Sequence, residues 1–244
     1  TEVDTLSLHD ALPICLAFGV PFLGCSIHWK NMELILKDKK AVIFDMDGVL
    51  VESECLWKQA EFEVFSSLGV SVTEEESLLT RSMTTKEVTR FWFERFPWKG
   101  KTLPEAEEMV IHRVMELIQS EDCVTQGIKT FIKQLKAQHY KIGLATNAPQ
   151  KIIPTVLEST KTTDFFDIVS SADFEVKGKP HPAIYLKTAE KLKVRPEECA
   201  VIEDSETGMK AAKNAGMTVI AYTQGNKNVS LQWADYEIDD FNIK

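Results

Sequence analysis

Four short polar clusters in this sequence combine carboxylates, a hydroxyl, an amide and a lysine in an order that suits chemistry on an anion. The first is Asp45-Met46-Asp47-Gly48-Val49-Leu50. Two carboxylates two residues apart repel each other unless a cation or a proton relieves them. Either relief is useful. A Mg²⁺ keeps one carboxylate ionised as a nucleophile, and the other can hold a proton and serve as general acid. Gly48 permits a sharp departure of the backbone. Taken alone, the same pattern also suits a solvated Asp-x-Asp-Gly turn or a calcium loop.

The second cluster, Leu144-Ala145-Thr146-Asn147, offers a hydroxyl and an amide to a phosphate oxygen, or simply a helix cap. The third, Gly178-Lys179-Pro180-His181-Pro182, puts a lysine directly before a helix that Pro can initiate. Its charge could neutralise both a phosphate and a nucleophilic carboxylate. The same lysine could equally be a surface residue in a Pro-rich turn. The fourth runs from Val201 to Gly208 and carries Glu203, Asp204 and Ser205. Hard oxygen donors of this kind suit Mg²⁺, while Asp204 or Ser205 could also cap a helix.

The elements that must position these clusters are legible in the hydrophobic pattern. Ala41-Val42-Ile43-Phe44 is a continuous apolar run, as in a buried parallel strand, and it ends at Asp45. From about 126 onward, helix and strand alternate. Helices are expected near 126–138, 150–159, 182–193 and 206–215. Strands are expected at Lys141–Ala145, Ile168–Ser170, Ala200–Ile202 and Thr218–Ala221. Such alternation predicts an α/β fold, a Rossmann-like parallel sheet flanked by helices on both faces. All four clusters then fall at carboxyl ends of strands, where open α/β sheets bind ligands.

Between the first strand and the rest lies a long helical stretch. Leu56, Ala60, Val64 and Leu68 recur at helical spacing, and Val88, Phe91, Trp92, Val110, Val114 and Leu117 continue it. The stretch is too long for a crossover. It predicts an inserted, all-helical cap domain over 54–123, with the core domain formed by 40–53 and 124–244. The aromatic run from Phe91-Trp92-Phe93 to Trp98 reads as core of that insert.

The chain has 244 residues, 44% hydrophobic and 27% charged, with a net charge of −9. This is a globular composition with room for a core that needs no disulfides. The acidic balance argues against nucleic acid as a partner. The five cysteines show no Cys-x-x-Cys pair, so reduced thiols and a cytoplasmic setting are expected. Residues 1–39 read as an N-terminal extension, foreign to the working fold up to about residue 31. Its apolar stretch from Ala11 to Ile27 is broken by Pro13 and Pro21 and lacks a preceding basic region, so neither a membrane span nor an export signal is expected.

In their order and spacing the four clusters together resemble the haloacid dehalogenase superfamily, over roughly residues 40–224. The resemblance implies that Asp45 is the nucleophile that becomes an aspartyl phosphate and that Asp47 is the general acid and base. It implies that Gly48, Thr146, Asn147 and Lys179 serve the phosphate. Mg²⁺ would be held by Asp45, the Asp47 main-chain carbonyl and Asp204, with Glu203 behind these ligands. Retention of both Asp47 and Asp204 implies a phosphatase or phosphomutase.

The insert is similar to that of the β-phosphoglucomutase-like branch. Ser53-Glu54, Leu56-Trp57, Ala60-Glu61, Phe91-Trp92 and Pro97-Trp98 resemble the hexitol and 2-deoxyglucose 6-phosphate phosphatases. Trp57 is expected either to stack on a sugar or to pack. Glu52 departs from the Asp usual in that branch. Ser82-Met83-Thr84 departs from a loop that often carries Gly and Arg, unless Arg81 substitutes. The expected activity is hydrolysis of small sugar or polyol phosphates by a monomer. The alternatives are a β-phosphoglucomutase-type mutase and, more remotely, a non-catalytic binding module.

Overall fold

The computed structural model of the protein describes residues 29–80, 83–175 and 177–242. The expectation for residues 1–31 falls mostly outside these, as does Arg81. Helix α1 (Trp29–Leu36) precedes strand β1 (Ala41–Phe44). Four helices follow: α2 (Glu54–Ser67), α3 (Glu74–Thr80), α4 (Thr85–Arg95) and α5 (Leu103–Ser120). The alternating part comprises α6 (Ile128–Ala137), β2 (Lys141–Thr146), α7 (Ile153–Thr160), β3 (Ile168–Ser171), α8 (Ala183–Leu192), β4 (Cys199–Glu203), α9 (Glu206–Asn214), β5 (Thr218–Tyr222) and β6 (Tyr236–Ile238).

The six strands form one parallel sheet in the order β3-β2-β1-β4-β5-β6. All four residues of β1 are buried because the sheet is covered on both faces. Val42 and Phe44 join one apolar cluster with Phe131, Ile132 and Val156, under α6 and α7. Ala41 and Ile43 point the other way, into a cluster with Tyr185, Met209 and Ala212 under α8 and α9. The continuous apolar run read from the sequence is this two-sided burial.

The stretch between β1 and α6 is helical, as its periodicity predicts. Leu56, Ala60 and Val64 are buried along α2, and Ala106, Val110, Val114 and Leu117 along α5. Helices α4 and α5 each start with a capping box, Thr84 with Glu87 and Thr102 with Glu105. Each box satisfies main-chain N–H groups that the first helical turn leaves unpaired. Trp92 and Trp98 are buried against Phe65, with ring centroids 6.1 and 5.9 Å away, so the aromatic run is core.

Two local features differ from expectation. The helix expected at 150–159 opens as a 3₁₀ turn at Gln150–Ile152 before α7 begins at Ile153. Strand β6 is three residues long, too short to leave a pattern. Helix α1 brings Met32 and Leu36 into the main core at 0 and 1% exposure, so the end of the N-terminal extension is packed.

Candidate active site

The sheet register brings the first and fourth clusters together. Phe44 lies opposite Leu144 on β2 and Ile202 on β4, and the Asp45 N–H donates to the Ile202 carbonyl at 3.0 Å. Asp45 and Glu203 therefore follow side by side, and Thr146 closes β2 one residue further along. The turn after β1 then folds tightly. The N–H groups of Val49, Leu50 and Val51 all approach the Met46 carbonyl, and Gly48 adopts φ +77°. That left-handed conformation favours glycine. A Cβ there would also overlap the Asp204 carboxylate.

Lys179 is the hub of the site. Its Nζ donates to Asp45 Oδ1 at 2.6 Å, Glu203 Oε1 at 2.6 Å and the Ala145 carbonyl at 2.9 Å. The lysine follows Gly178, and its main-chain N–H donates to Asn147 Oδ1 at 2.9 Å, so the second cluster anchors the third. The helix beyond is not initiated by Pro180: α8 begins at Ala183, with Pro182 as its cap. Burial alone would push the Lys179 ammonium down, but Asp45 and Glu203 reverse this and hold it above the usual range.

Glu203 is fully buried, and its oxygens are occupied. Oε1 also accepts from the Tyr185 hydroxyl at 2.5 Å, and Oε2 accepts from Ser205 N and Oγ at 3.3 and 3.0 Å. It orients Lys179 and the start of α9. Tyr185 was not singled out in the sequence, where a tyrosine within an amphipathic helix reads simply as core. Gly208, one turn into α9, leaves space for Glu203; a Cβ there would overlap its carboxylate. That carboxylate is tied to Lys179 and Tyr185 and has no room to yield. Gly208→Ala is therefore expected to destabilise the protein by about 1–3 kcal/mol in urea unfolding, and a change within a few tenths would contradict this packing.

Asp47 is held by a different set of partners. Its Oδ1 accepts from Ser53 Oγ at 2.5 Å and from Trp57 Nε1 at 2.8 Å, and Thr146 Oγ1 approaches Oδ2 at 3.5 Å. Trp57 was expected to stack on a ligand or to pack. It packs against the main core, and its indole N–H also orients Asp47. In the sequence Ser53 reads only as part of a motif. A serine before a helix reads as a cap, yet it makes no side-chain cap bond.

Asp45, Glu203 and Asp204 each offer an oxygen within 4.8 Å of the others. Burial and then the Glu203 charge raise the carboxyl groups of both Asp45 and Asp204, the latter to about 7. Beside them stands one ammonium, so the excess of negative charge fits a hard divalent cation. Glu203 already accepts four hydrogen bonds, which leaves Asp45 and Asp204 as the carboxylates facing the cavity. That cavity is about 880 Å³. Its walls include Asp45, Asp47, Thr146, Lys179 and Asp204 on the sheet side, and Trp57, Glu61, Thr80 and Thr84 on the side of the helical insert. Among the described residues, no helix is long and apolar enough to cross a membrane.

Comparison with known proteins agrees with this geometry. The haloacid dehalogenase-like hydrolase family model matches residues 42–222. Hexitol phosphatase B of Escherichia coli K12 is 38% identical over 181 residues, which is 74% of this chain and 82% of that protein. The β-phosphoglucomutase of Bacillus subtilis is 30% identical over 197 residues, 76% and 84% of the two chains. The crystal structure of CbbY from Rhodobacter sphaeroides in complex with phosphate superposes with a TM-score of 0.74 at 26% identity, covering 83% of this chain and 95% of that one. The order of the four clusters, the parallel sheet that gathers them and these matches agree, and the chain belongs to the haloacid dehalogenase-like hydrolase family.

Proposed function

We propose that the protein is a Mg²⁺-dependent phosphatase of small sugar or polyol monophosphates, of the hexitol phosphate or 2-deoxyglucose 6-phosphate type. The observation that carries the reading is the pairing of Lys179 with Asp45 while Ser53 and Trp57 hold Asp47. Nucleophile and acid are thereby held by different partners, as a two-step phosphoryl transfer needs.

In the first step an Asp45 carboxylate oxygen attacks phosphorus and the bond to the ester oxygen breaks. That oxygen takes the proton of Asp47, and an aspartyl phosphate remains. In the second step water attacks the same phosphorus and gives its proton to Asp47. The bond to Asp45 breaks and inorganic phosphate leaves. Lys179, Thr146, the Asn147 main-chain N–H and the Gly48 turn hold the phosphoryl oxygens. The Asn147 side chain is engaged with the Lys179 main chain, which leaves its N–H for that task. A Mg²⁺ held by Asp45, Asp204 and the Asp47 main-chain carbonyl would add positive charge where phosphoryl transfer is most sensitive to it. The helical segment 54–123 serves as a cap domain over the core of 40–53 and 124–244.

Asp47→Asn is the informative test of this division of labour. It is expected to slow hydrolysis of sugar phosphates by about 10²-fold or more, while losing far less on an aryl phosphate whose leaving group needs no proton. Equal losses on both substrates would remove Asp47 from the acid role.

A further inference from the structure

One polar group in the same cavity has no part in these two steps. Glu61 stands on α2 one turn beyond Trp57, so its side chain emerges on the same helix face. It lines the cavity and is half-buried, and it has no hydrogen-bond or ion-pair partner among the described residues. Burial alone raises its carboxyl to about 7. The other charged residues of α2 are all engaged. Gln59 bonds Glu63, Glu63 pairs with Arg113, and Lys58 pairs with Glu54. A carboxylate kept partly from water without a partner is costly unless something arrives to bond it.

What arrives must suit the walls. To the walls of the cavity the insert contributes, besides Glu61, hydroxyl-bearing Ser77, Thr80, Thr84 and Thr85 and the thioether of Met83. The lysines lining the cavity are Lys58 and Lys179, and both are already paired with carboxylates. A second phosphate would thus meet an anion and no unpaired lysine among the described residues. A neutral polyol end meets acceptors and hydroxyls instead.

We propose that Glu61 accepts the hydroxyl groups at the end of the substrate remote from the phosphoester and thereby selects monophosphates of neutral polyols or sugars against bisphosphates. The assignment rests on the phosphatase reading and deepens it, because a mutase must hold a bisphosphate in this cavity. A carboxylate offers two oxygens to adjacent hydroxyls and repels a phosphate at the same place.

The test uses the whole protein with Mg²⁺, a hexitol 6-phosphate and p-nitrophenyl phosphate, which lacks the hydroxyl chain. Glu61→Ala is expected to lower the ratio of kcat/KM for the hexitol phosphate to that for the aryl phosphate by about tenfold or more, chiefly through KM. Glu61→Gln keeps the shape and removes the charge. It is expected to strengthen competitive inhibition by a hexose bisphosphate about tenfold. A ratio unmoved by Glu61→Ala, or bisphosphate inhibition unmoved by Glu61→Gln, overturns the assignment. Wild-type protein that releases phosphate from neither compound contradicts the phosphatase reading itself, and the assignment falls with it. Loss of activity on the hexitol phosphate alone, with wild-type thermal unfolding, supports the assignment.

Discussion

Asp45→Asn abolishes turnover, with a loss on the order of 10⁴-fold or more, because an amide is too weak a nucleophile for phosphorus and removal of a covalent catalyst is not made up by the rest of the site. The fold should survive. Asp45 sits among Lys179, Glu203 and Asp204, and its carboxyl group is already raised by burial and by the Glu203 charge. A neutral amide of the same shape relieves repulsion with Glu203 and Asp204, although it weakens the pairing with Lys179. Near-wild-type thermal unfolding with no measurable phosphate release is the expected pair of results. Retained turnover would sink the nucleophile assignment.

Lys179→Met has the largest expected effect on stability. It removes the ammonium that pairs with both Asp45 and Glu203 in a buried setting. Glu203 would keep the hydrogen bonds from Tyr185 and Ser205 but lose its countercharge. Leaving buried carboxylates uncompensated costs about 3–5 kcal/mol. The pH dependence carries the signature. Without Lys179, whose charge lowers them, the already raised carboxyl groups of Asp45 and Asp204 titrate still higher in the folded protein than in the unfolded chain. The folded state then binds more protons, so stability falls as pH rises from the ordinary carboxylate range to the raised folded value. Urea unfolding should therefore show the deficit at about pH 7 and a partial recovery toward about pH 5. A deficit under about 1 kcal/mol at neutral pH would contradict the account of Lys179 as the hub.

Much of this site was legible because its chemistry is written into strand ends. The apolar run at Ala41–Phe44 predicted a buried strand, and the polar residue that closes it could only emerge at the carboxyl edge of a parallel sheet. The same logic placed Thr146 and Glu203. The helical insert was legible from periodicity alone, because α2 and α5 each bury one stripe.

The partners that orient the site were harder to see, because orientation depends on contacts across the chain. Tyr185 reaches Glu203 from a helix whose pattern announces only packing. Ser53 and Trp57 reach back to Asp47 across the turn, which no single-element pattern encodes. Glu61 resembled any charge on an amphipathic helix until the fold turned its face into the cavity. Strand β6 leaves no signal in the sequence because three residues on a sheet edge need almost no pattern to pair.

Hydrolysis is separated from mutation by where the phosphoryl group goes. The most direct measurement is ³¹P NMR of the protein with Mg²⁺ and a panel of sugar and polyol phosphates that includes β-glucose 1-phosphate. A parallel sample contains excess chelator. The account predicts inorganic phosphate growing in from a 6-phosphate, with the chelated sample silent. A 1-phosphate resonance converting into a 6-phosphate with little free phosphate would contradict it, and so would release undiminished by the chelator.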